Sequence, residues 1–123
     1  AVAAQRMTMW HRQALAIVVK VLRDAGAEAV IDIGSSFNPL GGEFPSVTAV
    51  DAVPTHPSVL MADFLAVDMV EGLQEPRTDP RDAGRCLALP AGRYDGAVLS
   101  LVIRAIPSIP KRRQLISRAA RTL

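Results

Sequence analysis

The stretch Ala29-Val30-Ile31-Asp32-Ile33-Gly34-Ser35-Ser36-Phe37-Asn38-Pro39-Leu40 joins a short β-branched apolar run to a turn that opens on glycine. A run from Ala29 to Ile33 with almost no polar alternation reads as a strand buried on both faces of a parallel sheet, and Gly34 marks its carboxyl end. With no Cβ, Gly34 lets a ligand come close to the backbone, while Ser36 and Asn38 offer small polar groups. Ser36 stands where a G-x-G-x-x-G loop has its second glycine, and no Gly-Lys pair follows. A nicotinamide-type dinucleotide fingerprint and a phosphate-cradling P-loop are therefore both missing, and a nucleoside cofactor without a pyrophosphate fits the turn better. An ordinary strand-end turn is the alternative.

Upstream, apolar residues at Trp10, Ala14, Ile17, Val18, Val21, Leu22 and Ala25 recur at spacings of three and four, predicting a helix over Gln5 to Ala25 that ends at Gly26. Downstream, Asn38, Pro39, Gly41 and Gly42 make Ser35 to Phe44 a loop, and Ser46 to Asp51 a second strand. A third strand is expected at Ser58 to Met61, then one or two helical turns from Phe64 to Val70. Gly72, Pro76, Pro80, Gly84, Pro90 and Gly92 mark Glu71 to Arg93 as an irregular insertion. Tyr94 to Ile103 reads as a further buried strand and Lys111 to Leu123 as a helix. There are no internal repeats. This order predicts an α/β fold with a doubly wound, mostly parallel, Rossmann-like sheet that binds ligand at the carboxyl ends of its strands. The 123 residues make one domain, read as a fragment whose sheet is incomplete at the C-terminus.

The longest apolar run, near Gly96 to Ile103, falls short of the ~20 residues that cross a bilayer, so a soluble protein with no membrane partner is expected. The single cysteine, Cys86, excludes an internal disulfide, offers no zinc spacing and favours a reducing, intracellular setting. Net charge is only +2, but no acid follows Asp95, while Arg104, Lys111, Arg112, Arg113, Arg118 and Arg121 do. Such a basic segment suits RNA phosphates; a solvated helix face is the competing reading.

Asp51 ends the second strand 17 positions after Gly34, the spacing at which an acid accepts from ribose hydroxyls in nucleoside-binding sheets. Asp63 follows the third strand, where its carboxylate suits an adenine amino group with Phe64 beside the ring, or a helix N-cap. Ser100 interrupts the apolar Val98-Leu99-Ser100-Leu101-Val102 near a strand end and faces either a ligand or the core. His11 and His56 read as a helix-surface and a loop residue, and Phe37 and Phe64 are the aromatics nearest the presumed site.

Ala4-Gln5-Arg6 with Trp10, Asp32-Ile33-Gly34-Ser35-Ser36-Phe37-Asn38-Pro39, Asp51-Ala52-Val53-Pro54, Asp63-Phe64-Leu65 and Leu99-Ser100-Leu101-Val102 with Pro107 follow one another along the chain. Together they resemble the eukaryotic large-subunit ribosomal RNA adenine-N1 methyltransferases, a family that includes the S-adenosylmethionine sensor of nutrient signalling. The resemblance implies a class I methyltransferase fold, S-adenosyl-L-methionine as cofactor, and ribosomal RNA or a pre-ribosomal particle, with protein partners, in the nucleus or nucleolus. It implies that Gly34, Ser35, Ser36 and Asn38 hold the methionine moiety, Asp51 the ribose, Asp63 and Phe64 the adenine, and that Ser100 lines the floor. Arg104 departs from the family pattern, which has Asn two residues after Ser-Leu-Val. If that Asn orients the target base, the departure bears on transfer and not on cofactor binding, so the alternative is a sensor or scaffold without catalysis.

Overall fold

The structure, a computed structural model, describes residues 9–99 and 108–123. Its elements are α1 (Met9–Asp24), β1 (Ala29–Ile33), β2 (Ser46–Asp51), β3 (Val59–Met61), β4 (Asp68–Glu71), β5 (Arg77–Asp79), β6 (Asp82–Ala91), β7 (Gly96–Leu99) and α2 (Ile109–Arg121). The strands form one sheet in the order β4-β6-β3-β2-β1-β7, with β5 paired on β6. Every ladder is parallel except β5 on β6.

β1 lies between β2 and β7, and all five of its residues are buried, Asp32 among them, as a run interrupted only by that acid predicts. Successive side chains of a strand alternate between faces. Ile31 and Ile33 accordingly pack with Val50, Phe64, Leu89, and Leu115 and Ala119 of α2. Val30 packs on the other face with Leu40, Phe44 and Val19 of α1. One helix therefore covers each face, and each buried Val, Leu, Ile or Phe contributes about 1.5–3 kcal/mol of apolar burial. The α/β class and the mostly parallel sheet agree with the sequence reading and are compatible with a Rossmann-like fold.

Two linkages at the amino ends of the strands fix β7 and α2. Asp95 Oδ2 accepts from the amides of Glu28 and Ala29 at 3.0 and 2.9 Å, setting the start of β1 against the start of β7. The same two bonds hold the Asp95 carboxyl below the usual carboxylate range. At the end of α2, Arg121 O accepts from Gly92 N, and Thr122 O from Arg93 N and Tyr94 N, each at 2.9 Å. Helix-terminal carbonyls that have no partner within the helix are thereby satisfied by the turn leading into β7. α2 begins at an N-cap, Ser108, with Pro110 in its first turn.

The structure corrects several local expectations. Phe64 to Val70 does not form helical turns: Asp63 O accepts from Ala66 N and Val67 N, closing a single turn, and the chain then extends as β4 alongside β6. Glu71 to Arg93 is not irregular but contains β5 and the ten-residue β6. Asp79 Oδ1 accepts from Arg81 N and Asp82 Oδ1 from Gly84 N, so the turn residues that suggested a loop close a hairpin. Pro90 is tolerated in β6 because, from Leu89 onward, β4 is its only strand neighbour among the described residues. In α1, Ile17 and Val21 are 64% and 60% exposed, and Leu15 and Val19 join the expected Leu22 on the inward face. β3 starts one residue later than expected, at Val59, and α2 starts two earlier, at Ile109. β7 begins at Gly96 rather than Tyr94. The expected strand residues 100–103, and the first residues of the expected first helix, lie outside the described residues.

Candidate functional site

Parallel pairing brings the carboxyl ends of β1, β2 and β3 to one edge of the sheet in adjacent positions: Ile33 registers with Val50, and Asp51 with Met61. Gly34, Asp51 and Asp63, read from the sequence as one site, thus stand at or just past the ends of three neighbouring strands. Gly34 takes φ 75°, a left-handed value that costs other residues about 1–2 kcal/mol. Its amide and that of Ser35 both donate to Val50 O, at 2.9 and 3.1 Å, turning the chain over the end of β2.

Ser36 and Asn38 also take left-handed φ, 60° and 61°. What holds them is the chain after β2. Asp51 Oδ2 accepts from Ser36 N at 2.8 Å and Asp51 Oδ1 from Val53 N at 3.0 Å. Thr55 donates to Ser36 O through its amide, at 2.8 Å, and its hydroxyl, at 3.0 Å. Asn38 Nδ2 donates to Ser58 Oγ, which also lies 2.7 Å from His56 Nδ1. Ser35 is buried, and its Oγ accepts from Asn38 N. The loops after β1 and β2 are therefore one interlocked unit. Asp51 is half-buried with lone pairs remaining on each oxygen, and Asn38 Oδ1 is buried with no hydrogen-bond partner among the described residues. The part that Thr55, His56 and Ser58 play in holding this loop escaped the sequence reading, which took His56 as a loop residue and Ser58 as the start of a strand. Their only signal was a cluster of small polar residues after Asp51, and such a cluster does not name its partners.

The loop after β1 is seated from the other side by α1. Leu40 and Phe44 are buried against Val19, and Arg23 donates to Glu43 O and Oε2 at 3.1 and 2.7 Å. That ion pair is exposed and contributes at most about 1 kcal/mol.

At the end of β3, Asp63 is exposed and Phe64 is not. Asp63 Oδ1 accepts from Leu65 N at 3.0 Å, an Asx turn and not the helix cap weighed from the sequence. Phe64 is only 6% exposed and belongs to the core, with the Arg118 guanidinium 5.8 Å from its ring centroid. Arg118 Nε donates to Phe64 O at 2.6 Å, Arg118 also donates to Val67 O, and Gln114 Nε2 to Leu65 O at 3.4 Å. Partial burial lowers the Arg118 pKa from its ordinary range, and Arg121 adds to this, while Asp63 and Asp68 oppose it. A surface depression beside this turn is lined by Met61, Asp63, Asp68, Arg85 and Leu87.

Ser100 and Arg104 lie outside the described residues. Cys86 is buried, and burial pushes its thiol up, away from nucleophilic use at neutral pH. Among the described residues no group of His, Cys, Asp and Glu is arranged to hold a metal ion, and no helix is long and apolar enough to cross a membrane.

No protein-family model matches the sequence.

Proposed function

We propose that the chain is an S-adenosyl-L-methionine-binding domain of the class I methyltransferase kind, acting on an adenine N1 of large-subunit ribosomal RNA. The observation that carries this reading is the row of Gly34, Asp51 and Asp63 at or just past three adjacent parallel strand ends, the edge at which such sheets take nucleosides. Fit to the cofactor is supported by the unused lone pairs of Asp51, the partnerless end of the Asn38 amide and the left-handed Gly34. Asp51 would accept from the ribose hydroxyls and Asp63 from the adenine amino group. Gly34, Ser35, Ser36 and Asn38 would line the methionine moiety, and Ser100 the floor. Phe64, in the core, would support the Asp63 turn from beneath and offer no open ring face.

The bound cofactor supplies an electrophilic sulfonium methyl. A target adenine N1 already carries the attacking lone pair, so the protein's task is alignment and exclusion of water rather than proton abstraction. The basic stretch of α2, with Lys111, Arg112, Arg113 and Arg121, supports a polyanionic partner. Arg104, at the position where the resembling methyltransferases carry Asn, favours a second reading: a domain that binds the cofactor, engages protein partners and performs no transfer.

Calorimetric titration with S-adenosylmethionine, wild type beside Asp51→Ala and with NAD as control ligand, tests this. Wild-type binding that weakens roughly tenfold to a hundredfold in the variant, with no NAD binding, is the expected result for lost charged hydrogen bonds. Absence of binding to wild type overturns both readings. Methyl transfer to ribosomal RNA then separates the first from the second.

A further inference from the structure

The turn after β3 is held from outside as well as from within. Within residues 63–67 the local bonds are those from Ala66 N and Val67 N to Asp63 O and from Leu65 N to Asp63 Oδ1. The carbonyls of Phe64, Leu65 and Val67 all accept from two side chains of α2, Arg118 and Gln114. Arg118 makes two of these three contacts from a single planar fork, whose rigid geometry fixes two acceptors at once. It also lies over the Phe64 ring. Asp63 is exposed and its Oδ1 is tied to the turn through Leu65 N, so the placement of the carboxylate follows from how the turn is held.

The geometry points to Arg118 as the positioning residue that aims Asp63, and so as a determinant of selectivity for a 6-amino purine over a 6-oxo purine. This rests on the proposed cofactor site. Arg118 touches no ligand itself. A carboxylate accepts from a 6-amino group and repels a 6-oxo group, so discrimination lives on Asp63 and is lost if the turn drifts. Lysine, a point charge on a flexible stem, reaches one carbonyl and does not fix two.

The test is calorimetry with S-adenosylhomocysteine and S-inosylhomocysteine on wild type, Asp63→Asn, Arg118→Met and Arg118→Lys, each variant first shown to melt cooperatively. Wild type prefers the adenosyl compound by roughly tenfold or more, the scale of a charged hydrogen bond. Asp63→Asn and Arg118→Met both lose most of that preference, and Arg118→Lys keeps an intermediate share. A merely structural role for Arg118 lowers the melting temperature and leaves the ratio of the two affinities unchanged, and that result overturns the inference. Where Arg118→Met does not fold, an unchanged ratio in Arg118→Lys overturns it equally. If wild type binds neither compound, the cofactor site itself has failed and the inference falls with it. Wild type with a clear preference that Arg118 variants retain sinks the inference alone.

Discussion

At the residue scale, the site depends on backbone conformations that most side chains resist. Gly34 sits at φ 75°, where alanine carries a left-handed penalty. Gly34→Ala is expected to lose about 1–2 kcal/mol, read as a lower urea midpoint with an unchanged denaturant slope. Ser36 and Asn38 hold similar angles without being glycine, which is possible because Asp51, Thr55 and Ser58 bond the loop around them. Gly34 and Asp51 were legible in the sequence because each ends an apolar run, and the end of a buried strand in a parallel sheet is a defined place. The roles of Thr55, His56 and Ser58 were not legible, since a short polar side chain in a loop acquires meaning only from the loop across from it. Phe64 is a similar case: neighbouring a candidate acid in sequence, it turns inward while Asp63 stays at the surface.

At the scale of elements, β1 was readable from an apolar run that ends on glycine, β2 from the loop residues before it and the acid that closes it, and α2 from the helical spacing of its apolar residues. The face of α1 is rotated from the one its spacing suggests: Leu22 packs inward as expected, but Ile17 and Val21 satisfy helical spacing as well as Leu15 and Val19 do, and only packing against Leu40 and Phe44 distinguishes the two pairs. β4 to β6 were hidden for a different reason. Prolines and glycines are the usual marks of loops, and Gly72, Pro76 and Gly92 do lie between strands, but Pro80 sits in a hairpin turn, Gly84 near the start of β6 and Pro90 in a stretch of β6 with one neighbour, where strand chemistry tolerates them. α2 is bound by packing as well as by Arg118. Its Leu115 is 1% exposed in the core shared with Ile31, Ile33 and Phe64. Leu115→Ala should therefore cost about 2–5 kcal/mol in equilibrium denaturation, far more than Ile116→Ala, whose side chain is 53% exposed.

At the scale of the whole molecule, one exposed carboxylate joins the chain's early and late strands. Asp95 accepts from the amides of Glu28 and Ala29, and its carboxyl is held below the ordinary range by those bonds. A folded-state pKa below the unfolded one means the contribution is complete above the unfolded carboxylate pKa of about 3.9 and fades as pH falls through it toward the folded value. Asp95→Asn should lower stability at neutral pH and flatten the loss of stability on acidification below about pH 4. Thermal melts of both proteins across that range check it, and identical acid limbs would remove Asp95 from the account.

The central position of β1 also bears on how the chain is made. Its partner on one side, β2, follows within a short loop, but β7, its partner on the other, is synthesised only after the whole of β3 to β6. At ordinary elongation rates the interval between Val30 and Gly96 is on the order of several seconds. During that time a strand whose five residues are all buried in the finished fold leaves the ribosome with one edge open. Among the described residues α1, already made and able to cover the face carrying Val30, is the one helix that precedes it, and α2 completes the sandwich only as translation of residues 109–121 ends.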